Sequence, residues 1–523
     1  MNETNQLNLI PQPTSVEIHD GLFTFCNDSK ISYQGAGSYE IAQLLQEYLK
    51  PATGFDLPII QNNSSSQIHL QTEETLGVDD SGFSDETYSI EVKSNQIIIK
   101  AKSSSGLARG IQCLRQLFPP SIFSSKFIKC EWNISCLKIT DSPRFKWRGL
   151  HLDVCRHFFT VSEVCRFIEL LAQHRYNMCH LHLTEDQGWR IEIKKYPKLT
   201  QIGSKREHTL VGHHSRRPRQ YDQQEYGGFY TQDDIREIVG FASKRHINII
   251  PEIDMPGHMV AAIAAYPELG NNLNNEVKVR CIWGISQQIL NVENKTIEFM
   301  KNVLDEIMEL FPSKFIHIGG DEAPKHEWSE SKRAQERMAE LGLKNEHELQ
   351  SWFIKQMDNH ITSKGRRLVG WDEILEGGLA KNATVMSWRG EKGGIEASKL
   401  GHDVIMTPQQ YVYFDYYQAE PTKDEPLAIG GLTTTENVYN YEPIPKAMDE
   451  NQEKHVLGTQ GQLWTEYIEN IKQLEYMTYP RACALAEVSW SDKSKKDYGL
   501  FKQKLIIHKE RLQIQGVNFF SKE

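Results

Sequence analysis

The sequence predicts a (β/α)₈ barrel preceded by a smaller α+β unit. Three observations lead there. Eight apolar, strand-like runs follow one another between residues 149 and 464, helical stretches lie between them, and acids or large aromatics recur just after the runs. Apolar strands alternating with helices imply a parallel sheet covered on both faces. Eight of them over roughly 380 residues suit a closed barrel with insertions. An open doubly wound sheet is the competing architecture, but no G-x-G-x-x-G fingerprint opens this one.

Residues 1–142 read as the accessory α+β unit and 143–523 as the barrel. In the first unit, "YSIEVKSNQIIIKAK" (Tyr88 to Lys102) alternates apolar and polar residues around a polar turn, the pattern of a hairpin. "LARGIQCLRQLF", after Gly106, has helical spacing, and Ser142-Pro143 breaks the pattern. The eight runs are then "GLHLDV", "CHLHLT", "INIIPEI", "KFIHIG", "RRLVGW", "ATVMSW", "DVIMTP" and "LGTQGQLW". Between the first two, a helix is expected from about Val161 to His174. Thr160 and Glu163 fit a capping box there, and Val164, Phe167, Ile168 and Leu171 form one apolar stripe.

Composition narrows the function. A net charge of −10 spread along 523 residues argues against nucleic acid as a partner. The basic cluster His213 to Gln220 reads as a solvated loop. No run is long enough to span a membrane, and the N-terminal stretch lacks the pattern of a secretory signal, so a cytoplasmic protein is expected. The nine cysteines are scattered without a C-x-x-C pair, which leaves no disulfide framework or zinc ribbon. Cys155, Cys165 and Cys179 lie in apolar runs as core thiols.

Chemistry gathers where barrels place it, at the C-terminal ends of the strands. Asp153 ends the first run and Glu185-Asp186 follow the second. Asp254 and His258 follow the third, and Asp321-Glu322 the fourth. Trp371 and Trp388 close the fifth and sixth, Tyr413 and Asp415 come soon after the seventh, and Trp464 and Glu466 end the eighth. Carboxylates that bond hydroxyls, set among aromatic faces that pack on ring C–H groups, suit a neutral sugar. Gly319-Gly320 would let the backbone leave the strand, so that the two adjacent acids of "FIHIGGDEAPK" could serve one site. Two other classes compete with this one. His180 and His182, two apart on one strand face, have the spacing of metal ligands, but buried barrel packing is the preferred reading, with no metal or cofactor. A non-catalytic sugar-binding module would need the aromatics and Arg148 but not the paired acids.

With these residues assembled, the chain resembles glycoside hydrolase family 20, the β-N-acetylhexosaminidases. The stretches that carry the resemblance are "WRGLHLDVCRHFF", "HLHLTEDQGWRIEI", "PEIDMPGH", "HIGGDEAP", "GWDEI", "SWRG", "YFD" and "LWTEYI", in order from Trp147 to Ile468. The resemblance implies an exo-acting, retaining enzyme acting on a glycan with a terminal N-acetylhexosamine, through an oxazolinium formed by the substrate's own acetamido group. It implies Glu322 as general acid and base and Asp321 as its partner at the acetamido group. Asp186 and His258 would form a relay behind Glu322. The family usually has Asp-Asp where this chain has Glu185-Asp186, and the second acid is taken as the functional one. Arg148, Asp415 and Glu466 would hold ring hydroxyls, and Tyr413 the acetamido oxygen. Trp371, Trp388 and Trp464 would wall the pocket, with Asp254 among the substrate-binding residues. The aglycone, and the choice between gluco and galacto epimers, stay open.

Overall fold

The computed structural model describes residues 7–73, 82–272 and 276–522. A seven-stranded mixed sheet comes first. In space its strands run Ser15–Phe25, Trp132–Asp141, Tyr88–Lys93, Gln96–Ala101, Ile68–Thr72, Ile31–Gln34 and Ile59–Gln61. The expected hairpin is its centre: Tyr88–Lys93 pairs antiparallel with Gln96–Ala101, Ile90 opposite Ile99. Alternation buries Tyr88, Ile90 and Val92 on one face, against the helices Ser38–Thr53 and Ser104–Leu117. Nearly every side chain of the second helix is buried, polar ones included, because it is covered on two sides. Its apolar residues meet the sheet, while Arg109 donates to the backbone carbonyls of Arg245 and His246 in the barrel.

Eight parallel strands then close on themselves: Trp147–Asp153, Met178–His182, Asn248–Glu252, Phe315–His317, Arg367–Trp371, Thr384–Ser387, Val404–Met406 and Val456–Gly461. Each coincides with one of the eight apolar runs, and the eighth pairs back onto the first, Thr459 beside Arg148. The helix after the first strand spans Val161–Gln173 and carries the capping box of Thr160 and Glu163. Its stripe of Val164, Phe167, Ile168 and Leu171 is buried against the barrel. After the fifth strand a single 3₁₀ turn, Asp372–Leu375, stands where an outer helix would be, and so "GWDEI" stays at the mouth of the barrel. The nine cysteines are unpaired, with Cys155 and Cys179 buried and Cys165 partly so. No helix among the described residues is long and apolar enough to cross a membrane.

The two units share their cores at the edges. Ile10, near the start of the chain, packs into the barrel core, and Trp490, near its end, packs into that of the sheet.

Candidate active site

A cavity of about 380 Å³ opens at the C-terminal ends of the strands. The turn that ends the fourth strand forms one wall. Gly319 and Gly320 take φ of 64° and 92°, and Glu322 takes 44°, a left-handed value uncommon outside glycine. The strand direction is thus abandoned at the glycines, and both carboxylates line the same cavity. Asp321 is buried, while the Glu322 side chain is 31% exposed.

His258 serves both acids. Its Nε2 lies 3.5 Å from a Glu322 oxygen and 3.7 Å from one of Asp321. It too is left-handed, with φ of 54°, a backbone cost met at functional sites. Nδ1 of His258 is bonded to Glu185 Oε1 at 2.7 Å. The second acid of the pair is therefore not the relay partner. Asp186 stays near His258 but spends its hydrogen bonds elsewhere, accepting from the Val260 backbone N–H and from Arg280 at 3.0 Å. The reason is local: Thr184–Glu185 forms a small hairpin with Gly188–Trp189, which sends successive side chains to different sides. Burial works against charge on His258, but Glu185 and Glu322 hold its pKa well above the usual value.

Arg148 is also displaced from its expected place. It stands at the beginning of the first strand, hence at the opposite end of the barrel, where it is buried and paired with Glu86 at 2.5 Å. The arginine in the cavity is Arg156, three residues past the strand end. It bonds Glu185 at 2.9 Å and Asp153 at 3.2 Å, stacks over Trp464, and approaches Glu466 to 3.9 Å.

The remaining expected residues converge. Trp371, Trp388, Tyr413, Asp415, Trp464 and Glu466 all line the cavity. Trp388 lies over Tyr413 with ring centroids 6.2 Å apart and donates its indole N–H to Glu373. Asp254 lies in the floor beneath the turn that carries Asp321 and Glu322 and accepts from Gly320 N–H at 3.1 Å. Burial raises its carboxyl to about 7. Burial and the neighbouring Asp254 likewise push Asp321 well above the usual carboxylate range, and burial raises Asp415 and Glu466.

Several wall residues carried no readable signal. Trp283 and Ile285 come from a long loop without periodicity, and His214 from the basic cluster, whose Arg216 to Gln220 are exposed while His214 reaches the cavity and bonds Tyr467. Nothing in "GWDEI" sets Glu373 apart from Asp372 beside it; burial and Asp321 push its carboxyl up to about 9. His180 and His182 do share one strand face, but they converge on Glu252 inside the barrel rather than on the cavity.

What the cavity offers a ligand is specific. Asp321 Oδ1, His258 Nε2, Asp415 Oδ1 and Glu466 Oε2 are buried atoms with no hydrogen-bond partner among the described residues, and their residues all line the cavity. An unsatisfied buried polar group costs about 1–3 kcal/mol. Four such groups facing one hollow between aromatic walls are matched by a polyhydroxylated ring with an N–H donor.

Comparison with known proteins agrees with this geometry. Residues 145–493 match glycosyl hydrolase family 20, catalytic domain, and residues 6–142 match domain 2 of the same family. A β-hexosaminidase of Porphyromonas gingivalis is 42% identical over 517 residues, 98% of this chain, which spans 64% of that relative's length. An exo-β-N-acetylglucosaminidase of Vibrio harveyi, solved with N-acetylglucosamine, superposes with a TM-score of 0.85 at 34% identity, covering 98% of this chain and 78% of that one. A variant of Streptomyces plicatus β-hexosaminidase, solved with its product GlcNAc, gives 0.84 at 29% identity over 99% and 97% of the two chains. The chain belongs to glycosyl hydrolase family 20.

Proposed function

We propose that the protein is an exo-acting β-N-acetylhexosaminidase that releases terminal, non-reducing N-acetylglucosamine or N-acetylgalactosamine with retention of configuration. The observation that carries this reading is the pair Asp321 and Glu322, adjacent in sequence, lining one cavity and both within 3.7 Å of one histidine nitrogen. A two-carboxylate glycosidase sets its acids on opposite faces of the sugar, and family 20 is a known exception. Adjacent acids instead suit two targets that are themselves neighbours, the leaving oxygen and the 2-acetamido group.

In the proposed sequence Glu322 gives its proton to the glycosidic oxygen while the acetamido oxygen attacks the anomeric carbon. The nucleophile is held within the substrate, so proximity supplies much of the rate. Asp321 accepts from the acetamido N–H and faces the positive charge that grows on the oxazolinium. Water then adds to the anomeric carbon and gives its proton to Glu322, and the ring opens. Two inversions amount to retention. Arg156, Asp415 and Glu466 would bond the hydroxyls of the terminal ring, and a further sugar there would leave them unpaired. The names of the P. gingivalis and V. harveyi relatives support the same substrate class.

A panel of nitrophenyl β-glycosides differing at C2 and C4, run with and without chelator, tests the reading. Turnover should require the 2-acetamido group, survive chelation, and leave the plain glucoside nearly inert. Comparable turnover of the glucoside would overturn substrate assistance. Chito-oligomers should shorten one unit at a time, and early internal fragments would sink the exo assignment.

A further inference from the structure

Behind Glu185 the hydrogen-bonded chain continues into the barrel. Glu185 Oε2 lies 3.2 Å from His182 Nε2, and the other ring nitrogen of His182 lies 2.6 Å from Glu252 Oε2. A neutral imidazole carries one N–H and one lone pair. With a carboxylate oxygen against each nitrogen, His182 satisfies both only as a doubly protonated imidazolium. Glu252 in turn accepts from the indole N–H of Trp371 at 2.9 Å, in the cavity wall.

We propose that His182 and Glu252 are positioning residues of the hydrolytic site: His182, held as an imidazolium between two carboxylates, fixes the charge and orientation of Glu185 and thereby sets the proton affinity of the His258–Glu322 pair. All the groups that face this chain bear on it. Glu252 also meets His180 at 3.1 Å and His317 at 2.9 Å, with Asp254 two residues on. His180 receives the Gln460 amide on Nδ1, which leaves its Nε2 as the protonated nitrogen toward Glu252. Glu185 also meets Arg156 and His258, with Asp186 beside it. Asp153, the ring of His151 and, closer, the ring of Trp464 also lie around His182. Burial opposes charge on His182, yet Glu252 and Glu185 lift its pKa well above the ordinary histidine value. Burial likewise works against the anionic form of Glu252, and the three histidines hold its pKa well below the usual range.

Glu252→Gln removes the anion and keeps the shape of the side chain. A glutamine oxygen can still accept from the Trp371 indole, while its N–H₂ donates to His182 Nδ1 and displaces the His180 N–H that met the same atom. His182 then keeps one proton, on Nε2, and becomes neutral. The site loses one cation and one anion together, and Glu185 loses its charged partner. The alkaline limb of kcat/KM, where the acid gives up its proton, should move by about half a pH unit or more, with KM changed less than kcat. A lowered rate with an unmoved limb overturns the proposal.

The second measurement needs no variant and no turnover. In ¹⁵N-histidine spectra of the wild-type protein, two rings, His182 and His258, should remain doubly protonated at pH 8, above the ordinary titration of exposed histidines. Fewer than two such rings overturns the proposal even if Glu252→Gln does not fold. The kinetic arm rests on the hexosaminidase reading and the spectroscopic arm does not, so failure of one is distinguishable from failure of the other.

Discussion

Asp321 is where function and stability oppose each other. Burial and Asp254 raise its pKa, so the native state holds a proton that the unfolded chain would release. Stability attributable to this group therefore falls as pH rises from the ordinary carboxylate range through the raised value. Asp321→Asn keeps the shape and removes that penalty. It should lower kcat by about two to three orders of magnitude, typical for the loss of one transition-state electrostatic contact, with KM changed far less. Its Tm should exceed that of wild type, by more at pH 8 than at pH 4.5. A Tm gain independent of pH would show that the carboxylate is not strained as described. The two arginines make a second prediction. Arg156→Met should raise KM and lower kcat, because Arg156 is in the cavity. Arg148→Met should lower stability and leave KM unchanged, because Arg148 is bonded to Glu86 and to the carbonyls of Phe145 and Arg175. If Arg148→Met shifted KM selectively, its placement at the far end of the barrel would be wrong. The sequence held the means to separate them, since strand polarity alone puts the second residue of a strand away from the active face.

Among the elements, those with strong periodicity were legible and those without it were not. All eight barrel strands and the first barrel helix follow from apolar runs and a capping box, signals that local burial writes into the chain. The hairpin at Thr184–Glu185 has no period long enough to read, so which of two adjacent acids faces His258 was decided by a turn the sequence does not display. The turn after the fourth strand is the opposite case, because Gly-Gly announces a backbone that other residues resist. A Cβ on Gly319, at φ of 64°, would stand 1.8 Å from Asp254 Oδ1. Gly319→Ala should therefore move the catalytic turn, cut kcat/KM at least about a hundredfold (~2.7 kcal/mol) and lower Tm. Gly342, with a similar φ of 66° and nothing within 4 Å, is the control. Gly342→Ala should cost about 1 kcal/mol of stability and no activity. Equal effects at both positions would mean that backbone strain alone matters, not the contact with Asp254.

Across the whole molecule, one of the contacts between the first unit and the barrel is a buried carboxylate. Glu86, beside the hairpin, is buried and receives Arg109 from its own unit at 2.7 Å, with Arg148 at 2.5 Å and Asn177 at 3.2 Å from the barrel. Such a contact was illegible because nothing local relates Glu86 to a residue 62 positions on; only the packed pair of units gives Arg148 its partner. Burial opposes the charge on Glu86, but the two guanidinium groups outweigh it and keep its pKa below the usual range. The stabilisation is thus present above the ordinary carboxylate pKa and is lost as pH falls through the depressed one. Removing one partner of a buried charge cluster leaves the others uncompensated, at about 3–5 kcal/mol. Glu86→Gln should therefore lose about that much unfolding free energy in denaturant titrations near neutral pH, and less in acid. Activity per folded molecule should stay the same, since the cluster lies at the end of the barrel away from the cavity. Adding Arg148→Met to Glu86→Gln should cost less than the sum of the two single changes, because the arginine then no longer stands as an unpaired buried charge. Strict additivity in that cycle, or a parallel fall in kcat, would mean that the first unit does not hold the barrel through Glu86.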